Sequence, residues 1–166
     1  VKDIKIYLDA LEEFSASFVE DNNGSIQEGF FYKNKNRIRI DYVSPTKIKI
    51  ILDKNKAMYL NYDLKEIEYF NPNKTPAKIV FDIFYTDFIN SYYKYEAEEN
   101  FSKLFFEIKD EELIYFAEII FETRPLHLRV VNIIGNDQNI SFGLKDHNFN
   151  TSFEKNFFSM ADPFIK

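Results

Sequence analysis

The chain of 166 residues has no cysteine and no tryptophan, only four glycines and two histidines, and no long uninterrupted apolar run. Without cysteine it can form no disulfide, no thiolate metal site and no cysteine nucleophile. Its most apolar stretch, residues 75–89, is broken by Lys78, Asp82 and Asp87, whereas a membrane-spanning helix needs about 20 predominantly apolar residues. These absences exclude a disulfide-stabilised protein, an enzyme with a cysteine nucleophile, a thiolate metal site and a membrane-spanning helix at residues 75–89.

Catalytic and metal sites also find little support. His127 lies between two leucines on the polar face of a predicted strand, His147 follows Asp146 in a predicted loop, and no serine lies in a nucleophile-elbow context. The acidic clusters Glu96–Glu99 and Asp110–Glu112 lack the spacing of a calcium-binding EF-hand. We therefore predict a protein that is not an enzyme and that has no metal or cofactor site.

The charges are unevenly distributed. Net charge is -6 at neutral pH, which argues against a general nucleic-acid-binding protein. Residues 33–56 nevertheless carry eight basic and two acidic side chains, a local charge of +6, so the rest of the chain carries -12. Two interpretations stay open for this basic segment: a solvated outer sheet face, or a docking surface for an acidic partner or a lipid headgroup.

Residues 76–89 predict an unusual helix. Thr75 suits the N-cap position and Pro76 the first helical position, while the apolar residues that follow leave almost no polar face. A helix that is apolar nearly all round needs burial on two sides. The sequence therefore predicts that one side faces a sheet and that the other faces protein, a partner or an apolar ligand.

The remaining pattern is mainly β. An amphipathic helix is predicted at 2–13, and alternation of period two in Ile38–Tyr42 and Lys47–Leu52 predicts antiparallel strands with one polar face. Together with the turn signals, the chain predicts about eleven strands, which should close or nearly close into a barrel as one domain, 1–166. The strands are predicted at 14–20, 26–33, 37–42, 47–52, 57–62, 66–70, 92–98, 103–109, 114–122, 127–134 and 138–144, with a last short extended piece near 153–158.

The order of these motifs resembles the periplasmic outer-membrane lipoprotein carrier (LolA) family. After the first helix comes an F-x-A-x-F strand, here Phe14–Phe18, and a proline turn and a Tyr-Asp turn follow at Pro45 and Tyr62-Asp63. The C-terminal half, from Pro125 to Asn150, matches the family's ending. The resemblance implies an incomplete, unclosed antiparallel β-barrel with helices as a lid over an apolar cavity for acyl chains.

The resemblance also implies partners and a location. An inner-membrane ABC transporter would load acylated lipoproteins onto a monomeric carrier in the periplasm, and an outer-membrane receptor, where one exists, would unload them. The chain begins at Val1 rather than Met, so we expect an export signal to have been removed. The family's turn arginine, which is implicated in handling the lipoprotein, corresponds to Asn34, and its tryptophans correspond to Ile40 and Tyr59.

Candidate site residues follow from the helix, the strands and the resemblance. The expected lid residues are Ile79, Val80, Ile83, Phe84 and Phe88. The expected cavity wall, taken as one sheet face, is Ile38, Ile40, Tyr42, Ile48, Ile50, Met58 and Leu60. Partner docking, with a substitute for the turn arginine, is expected from Lys33, Lys35, Arg37 and Arg39.

Two other functions remain open. The first is a lipid-binding or lipid-sensing module of the same fold, such as a glycolipid carrier or the outer-membrane receptor. The second is an interaction domain with a solid core, in which the lid residues are ordinary packing of a helix on a sheet. Uptake of lipid separates a carrier from a solid core.

Overall fold

One antiparallel sheet dominates the structure, a computed structural model that describes residues 1–109 and 114–165. Within these residues the sheet has eleven strands. They are β1 (Phe14–Asn22), β2 (Ser25–Lys33), β3 (Ile38–Ser44), β4 (Ile48–Leu52), β5 (Ala57–Asn61), β6 (Glu66–Phe70), β7 (Lys94–Ala97), β8 (Phe101–Lys109), β9 (Ile114–Thr123), β10 (Leu126–Gly135) and β11 (Gln138–Asn148). The acidic cluster Asp110–Glu112 lies outside the described residues.

The strand order leaves the sheet open between two strands that are consecutive in the chain. It runs β6-β5-β4-β3-β2-β1-β11-β10-β9-β8-β7, so β6 and β7 form the two edges. Residues 71–93 join these edges and carry the second helix across one face, which we call the inner face. The expected fold, an unclosed antiparallel barrel of about eleven strands with helices, is confirmed.

Two helices accompany the sheet. The first, α1 (Lys2–Ala10), is shorter than the predicted 2–13. The second, α2 (Ala77–Tyr85), begins one residue later than predicted, with Pro76 rather than Thr75 at the N-cap position, and the Thr75 hydroxyl accepts a hydrogen bond from the Ala77 N–H at 3.3 Å. It ends before residue 89 because the backbone of Thr86 is extended, and a 3₁₀ turn, Asp87–Ser91, follows.

The predicted hairpin turns are present at one end of the sheet. Asn23 and Gly24 join β1 to β2 with φ of 52° and 92°, and Asn136 and Asp137 join β10 to β11 with φ of 50° and 60°. Two positive φ angles in a two-residue loop are the geometry that Asn, Asp and Gly tolerate best. Local sequence therefore sets the register of these strand pairs.

The C-terminal segment, residues 151–165, corrects one prediction. Residues 153–158 were expected to be extended, but they form turns in which Phe157 N–H donates to Glu154 O and Ser159 N–H to Asn156 O, each at 3.1 Å. This segment, called the tail below, crosses the outer face of the sheet. The Tyr69 hydroxyl donates to Met160 O at 2.7 Å.

The strand register corrects a second prediction. Ile50 pairs with Tyr59, so Met58 and Leu60 point to the outer face and not to the face of Ile40. Both are fully buried, as is Ile51 on the same face. The tail runs over this face, because Arg39, Ile51, Met58 and Tyr69 form one row across the strands whose two ends hold tail carbonyls.

The main core fills the space between the inner face and the helices. Phe14, Ala16 and Phe18, the F-x-A-x-F residues of β1, are all buried there. They share the inner face with Phe31 of β2 and Ile40 of β3. The alternation that predicted one apolar face for these strands is confirmed, and this face positions the candidate site.

Candidate functional site

Aromatic stacking holds α2 and the turn after it to the inner face. The ring centroid of Phe84 lies 5.8 Å from that of Phe14 and 5.7 Å from that of Phe31. On the other half of the sheet, the Phe88 ring stacks on Phe106 at 4.4 Å. The segment thus contacts strands on both halves of the sheet, as a cover over its open side would, and we call α2 the lid helix.

All five expected lid residues pack against the main core. Ile79 and Ile83 are buried, whereas Val80, Phe84 and Phe88 keep part of their surface exposed. Because they form a continuous contact between helix and sheet, they are the surface that an apolar ligand between the two would have to meet.

Five of the seven expected wall residues share the inner face. Ile38 and Ile40 are buried, while Ile50, the register partner of Ile40, is half-buried, as are Tyr42 and Ile48 nearer the hairpin end. Here the Tyr42 hydroxyl donates to Glu20 Oε1 at 2.9 Å. Burial raises the pKa of the Glu20 carboxyl, and the hydrogen bond from Tyr42 opposes that rise. Met58 and Leu60 take no part in this face.

Lys33 is buried and does not present its ammonium to a partner, which contradicts its expected docking role. It lies on the inner face opposite Phe14 in the register. Its Nζ donates to Leu11 O at 2.8 Å, and to Glu12 O and Asn34 O at 3.1 Å each. Burial lowers the pKa of Lys33 to about 8.

Tyr85, the last residue of the lid helix, meets Lys33 at this point. The ammonium of Lys33 lies 4.8 Å from the Tyr85 ring centroid, and the Tyr85 hydroxyl lies 2.8 Å from the carbonyl oxygens of both Asn34 and Arg37. The end of the lid helix is thereby tied to the β2–β3 turn. The sequence analysis missed this role of Tyr85, although the period of β2 placed Lys33 on the same face as Phe31.

Arg37 and Arg39, also expected at a docking surface, hold the tail instead. Arg39 is paired in two-point fashion with Asp41 at 2.8 and 2.9 Å, donates to Phe157 O at 2.9 Å and stacks on the Phe157 ring at 4.0 Å. Arg37 donates to Asp53 and to Phe158 O, each at 2.8 Å. Their guanidinium groups are engaged within the chain.

Lys35 alone among the four expected docking residues is largely exposed. It forms a 3.8 Å ion pair with Glu12, in which about two thirds of each side chain remains accessible. Such exposed pairs contribute little to stability. Lys35 borders a cleft of about 1340 Å³ between the end of the lid helix, the β2–β3 turn and the tail.

The two histidines form a structural pair. His147 lies within β11 rather than in the predicted loop, and its ring stacks on that of His127 of β10 with centroids 4.7 Å apart. Its Nε2 lies 2.7 Å from Leu128 O, and burial lowers the pKa of His147. Within residues 1–109 and 114–165, no group of three or more acidic or histidine side chains could hold a metal ion.

In the part of the chain that the structure describes, neither helix has the length and apolar character that crossing a membrane requires.

Comparison with known proteins gives one family match. The model of the family described as "Outer membrane lipoprotein carrier protein LolA" matches residues 10–161, nearly the whole chain. Among curated proteins, none is significantly similar in sequence.

Several solved structures share the fold. A conserved protein from Thermus thermophilus is 6% identical with a TM-score of 0.63, and the match covers 94% of this chain and 91% of that one. A DUF1329 family protein from Desulfovibrio piger is 8% identical with a TM-score of 0.58 and 95% of each chain covered. A chain of the Pseudomonas aeruginosa MucA/MucB complex is 9% identical with a TM-score of 0.50, covering 96% of this chain and 59% of that chain. At these identities the likeness is one of fold alone.

Proposed function

The chain belongs to the outer membrane lipoprotein carrier protein LolA family, and from this membership we propose that it is a periplasmic carrier of lipoproteins. In this role the whole chain acts as a single, monomeric domain. The acyl chains of the lipoprotein lie between the lid helix and the inner face of the sheet, and the carrier moves them from the inner to the outer membrane.

One observation in particular supports the proposal: the lid helix and the 3₁₀ turn after it together span the open side of the sheet and rest on it through apolar contacts. Phe84 contacts Phe14 and Phe31 on one half, and Phe88 contacts Phe106 on the other. Dispersion contacts of this kind are non-directional, so acyl chains could replace them. The same atoms that close the empty carrier would then line the loaded one.

The energy scale fits a carrier that must both hold and release its cargo. Burying a methylene contributes about 0.8 kcal/mol, so a 16-carbon chain left in water costs on the order of 12 kcal/mol. The free energy of holding the chain is offset by separating Phe84 and Phe88 from their aromatic partners. A lid whose closed and loaded states are close in energy allows transfer in either direction.

The partners follow from the same role. An inner-membrane ABC transporter loads the carrier, and an outer-membrane receptor, if present, unloads it. Lys35 is the exposed member of the basic set and is the residue we assign to partner contact, since Lys33, Arg37 and Arg39 are engaged within the chain.

Native mass spectrometry with a triacylated lipopeptide tests the proposal. The natural chain should form a discrete one-to-one adduct, and Phe84→Glu should abolish it because a carboxylate at that position must be desolvated against acyl chains. Phe30→Glu is the matched control: Phe30 lies on the outer face of β2 and is 44% exposed. Circular dichroism and thermal unfolding establish that each variant is folded.

The outcomes separate the candidate functions. Failure of the folded natural chain to take up any lipid would leave an interaction domain with a solid core. Uptake of a glycolipid but not of the lipopeptide would favour a lipid-binding or lipid-sensing module of the same fold. Equal uptake of lipopeptide by Phe84→Glu and Phe30→Glu would show that the lid helix does not form part of the lipid-binding site.

A further inference from the structure

A second cleft, of about 590 Å³, lies between the lid helix and strands β8 and β9. Its floor is apolar and consists of Ile79, Phe81, Ile108 and Tyr115. Three of these are less than a tenth exposed, and Ile108 packs against the main core. The volume lies within the range of small-molecule sites, roughly 300–1,000 Å³.

The rim of this cleft is strongly basic. Lys54, Lys74, Lys78 and Lys109 line it, and Asp82 is the one carboxylate among the described residues that do so. Lys78 is paired with Asp82 one helical turn later and Lys109 with Glu107 at 3.2 Å, so among the described residues Lys54 and Lys74 are the lining lysines without an ion pair. The described lining therefore carries a charge of +3 in a chain whose net charge is -6.

Four elements contribute the rim lysines: the β4–β5 turn, the 3₁₀ turn before the lid helix, the lid helix itself and the end of β8. Lys54 belongs to the β4–β5 turn, and Lys74 ends the 3₁₀ turn Pro72–Lys74 that precedes the lid helix. Asn73 Nδ2 donates to Asn55 Oδ1 at 3.3 Å and links the two. The lysines are thus brought together by the fold at the mouth of an apolar depression.

We propose that this cleft binds an anionic amphiphile, an acyl chain that carries a phosphate-containing head group. The acyl chain lies on the floor and the phosphate lies among the rim lysines. A free phosphate would make no use of Phe81 and Tyr115, and a neutral lipid would make no use of the lysines. A cationic choline group would add a repulsive contact to the rim.

This ligand differs from the lipoprotein cargo of the proposed function. The glycerol-linked acyl chains of a lipopeptide carry no phosphate, so their binding does not account for Lys54 and Lys74 at one mouth. The inference therefore goes beyond lipoprotein transport. Both ligands would contact Ile79 of the lid helix, and separate measurements with a lysophospholipid and with the lipopeptide distinguish failure of one proposal from failure of the other.

Calorimetric titration with three probes tests the inference. They are lysophosphatidylglycerol with a 14-carbon chain, lysophosphatidylcholine of the same chain length, and glycerol phosphate without a chain, all below the concentration at which micelles form. We expect the phosphatidylglycerol form to bind at least about tenfold more tightly than the choline form, and glycerol phosphate to show no measurable binding. Raising the salt concentration should reduce the difference in affinity between the two lysophospholipids, because the rim lysines are exposed to solvent and salt screens their charge.

Variants identify the residues. The double variant K54Q/K74Q should weaken binding of the phosphatidylglycerol form by about tenfold, since it removes two charges that would attract the phosphate and each exposed charge pair contributes modestly. It should leave binding of the choline form and lipopeptide uptake unchanged. K5Q/K47Q removes the same charge from exposed positions outside the lining and should change none of these.

Three results would overturn the inference. Equal affinity for the two lysophospholipids would show that the rim lysines do not distinguish an anionic head group from a choline head group. Binding of glycerol phosphate as tight as that of the amphiphile would leave a simple anion site. Equal weakening of binding by K54Q/K74Q and by K5Q/K47Q would show that the net charge of the protein, and not the rim lysines, determines affinity for the anionic lipid.

Discussion

The ammonium of Lys33 lies 4.8 Å from the ring centroid of Tyr85, so a buried residue of β2 meets the last residue of the lid helix. Lys33 also donates to the carbonyl oxygens of Leu11 and Glu12, which follow α1. One side chain therefore links the sheet, the end of α1 and the lid helix. Movement of the lid must break or stretch these contacts.

The buried position of Lys33 predicts a pH dependence of stability. Burial lowers its pKa in the folded chain to about 8 from the ordinary value of 10.5. Between these values the unfolded chain binds more protons than the folded one, so the free energy of unfolding rises with pH. Below about pH 8 both states hold the proton and Lys33 contributes no pH dependence.

The comparison with Lys33→Met isolates this effect from other titrating groups. Relative to that variant, the natural chain should gain about 1–3 kcal/mol of unfolding free energy between pH 8 and 10.5. Urea unfolding at intervals of half a pH unit measures it. A difference that stays constant over this range would show that Lys33 has an ordinary pKa.

Tyr85→Phe should loosen the lid without unfolding the chain. It removes the hydroxyl that lies 2.8 Å from the carbonyl oxygens of Asn34 and Arg37, which costs about 1 kcal/mol. We expect lipopeptide uptake to become about fivefold faster in stopped-flow measurements. The control is Tyr95→Phe: Tyr95 lies on the edge strand β7, and its hydroxyl is 3.4 Å from Ser102 Oγ of β8. This variant should leave the uptake rate unchanged. Equal acceleration by both variants would contradict the role assigned to Tyr85.

Arg39→Lys should release the tail. A lysine cannot reproduce the two-point contact with Asp41 together with the hydrogen bond to Phe157 O, so we expect a loss of about 1–3 kcal/mol in unfolding free energy. Chymotrypsin should then cleave faster after Phe157. Arg129→Lys is the control, because Arg129 forms only a partly exposed 3.7 Å pair with Glu122. Tail cleavage that does not change would mean that Arg39 does not hold the tail.

Met58→Ala tests the strand register. Met58 is fully buried on the outer face, so truncation should cost about 2–5 kcal/mol while the folded fraction still takes up lipopeptide. Ile40→Ala removes a buried side chain from the inner face and should alter uptake as well as stability. If Met58→Ala impaired uptake more than Ile40→Ala did, the two faces would be assigned the wrong way round.

The sequence was sufficient to predict which residues of a strand face the core wherever the other face of the sheet is polar. In β3, Arg39 and Asp41 alternate with Ile38, Ile40 and Tyr42, and the structure places these two sets on opposite faces. The hairpin turns were predictable for a local reason, since Asn-Gly and Asn-Asp favour the positive φ angles found there.

Strand β5 shows where this reasoning stops. Its sequence, Ala57–Asn61, is buried on both faces except at Tyr59, so alternation carries no information about which side faces inward. Met58 lies in the row whose two ends, Arg39 and Tyr69, hold the tail, and Arg39 does so through a hydrogen bond to a residue 118 positions later. No local pattern predicts a contact of that separation. Contacts of this kind, from Arg37 to Phe158 and from Arg39 to Phe157, give two expected docking residues a structural role.

The most direct test of the account is whether the lid helix and the turn after it must leave the sheet for lipid to enter. The chain has no cysteine, so the variant Phe88→Cys/Phe106→Cys carries only two thiols, at positions whose rings now stack at 4.4 Å. A short bis-maleimide, which adds to both thiols, joins them, and native mass spectrometry with the triacylated lipopeptide is repeated. The control pair Glu98→Cys/Lys103→Cys crosslinks two surface positions whose charged groups lie 3.7 Å apart.

We predict that uptake occurs before crosslinking, is lost when positions 88 and 106 are joined, and persists when positions 98 and 103 are joined. Undiminished uptake by the chain crosslinked between 88 and 106 would contradict the account.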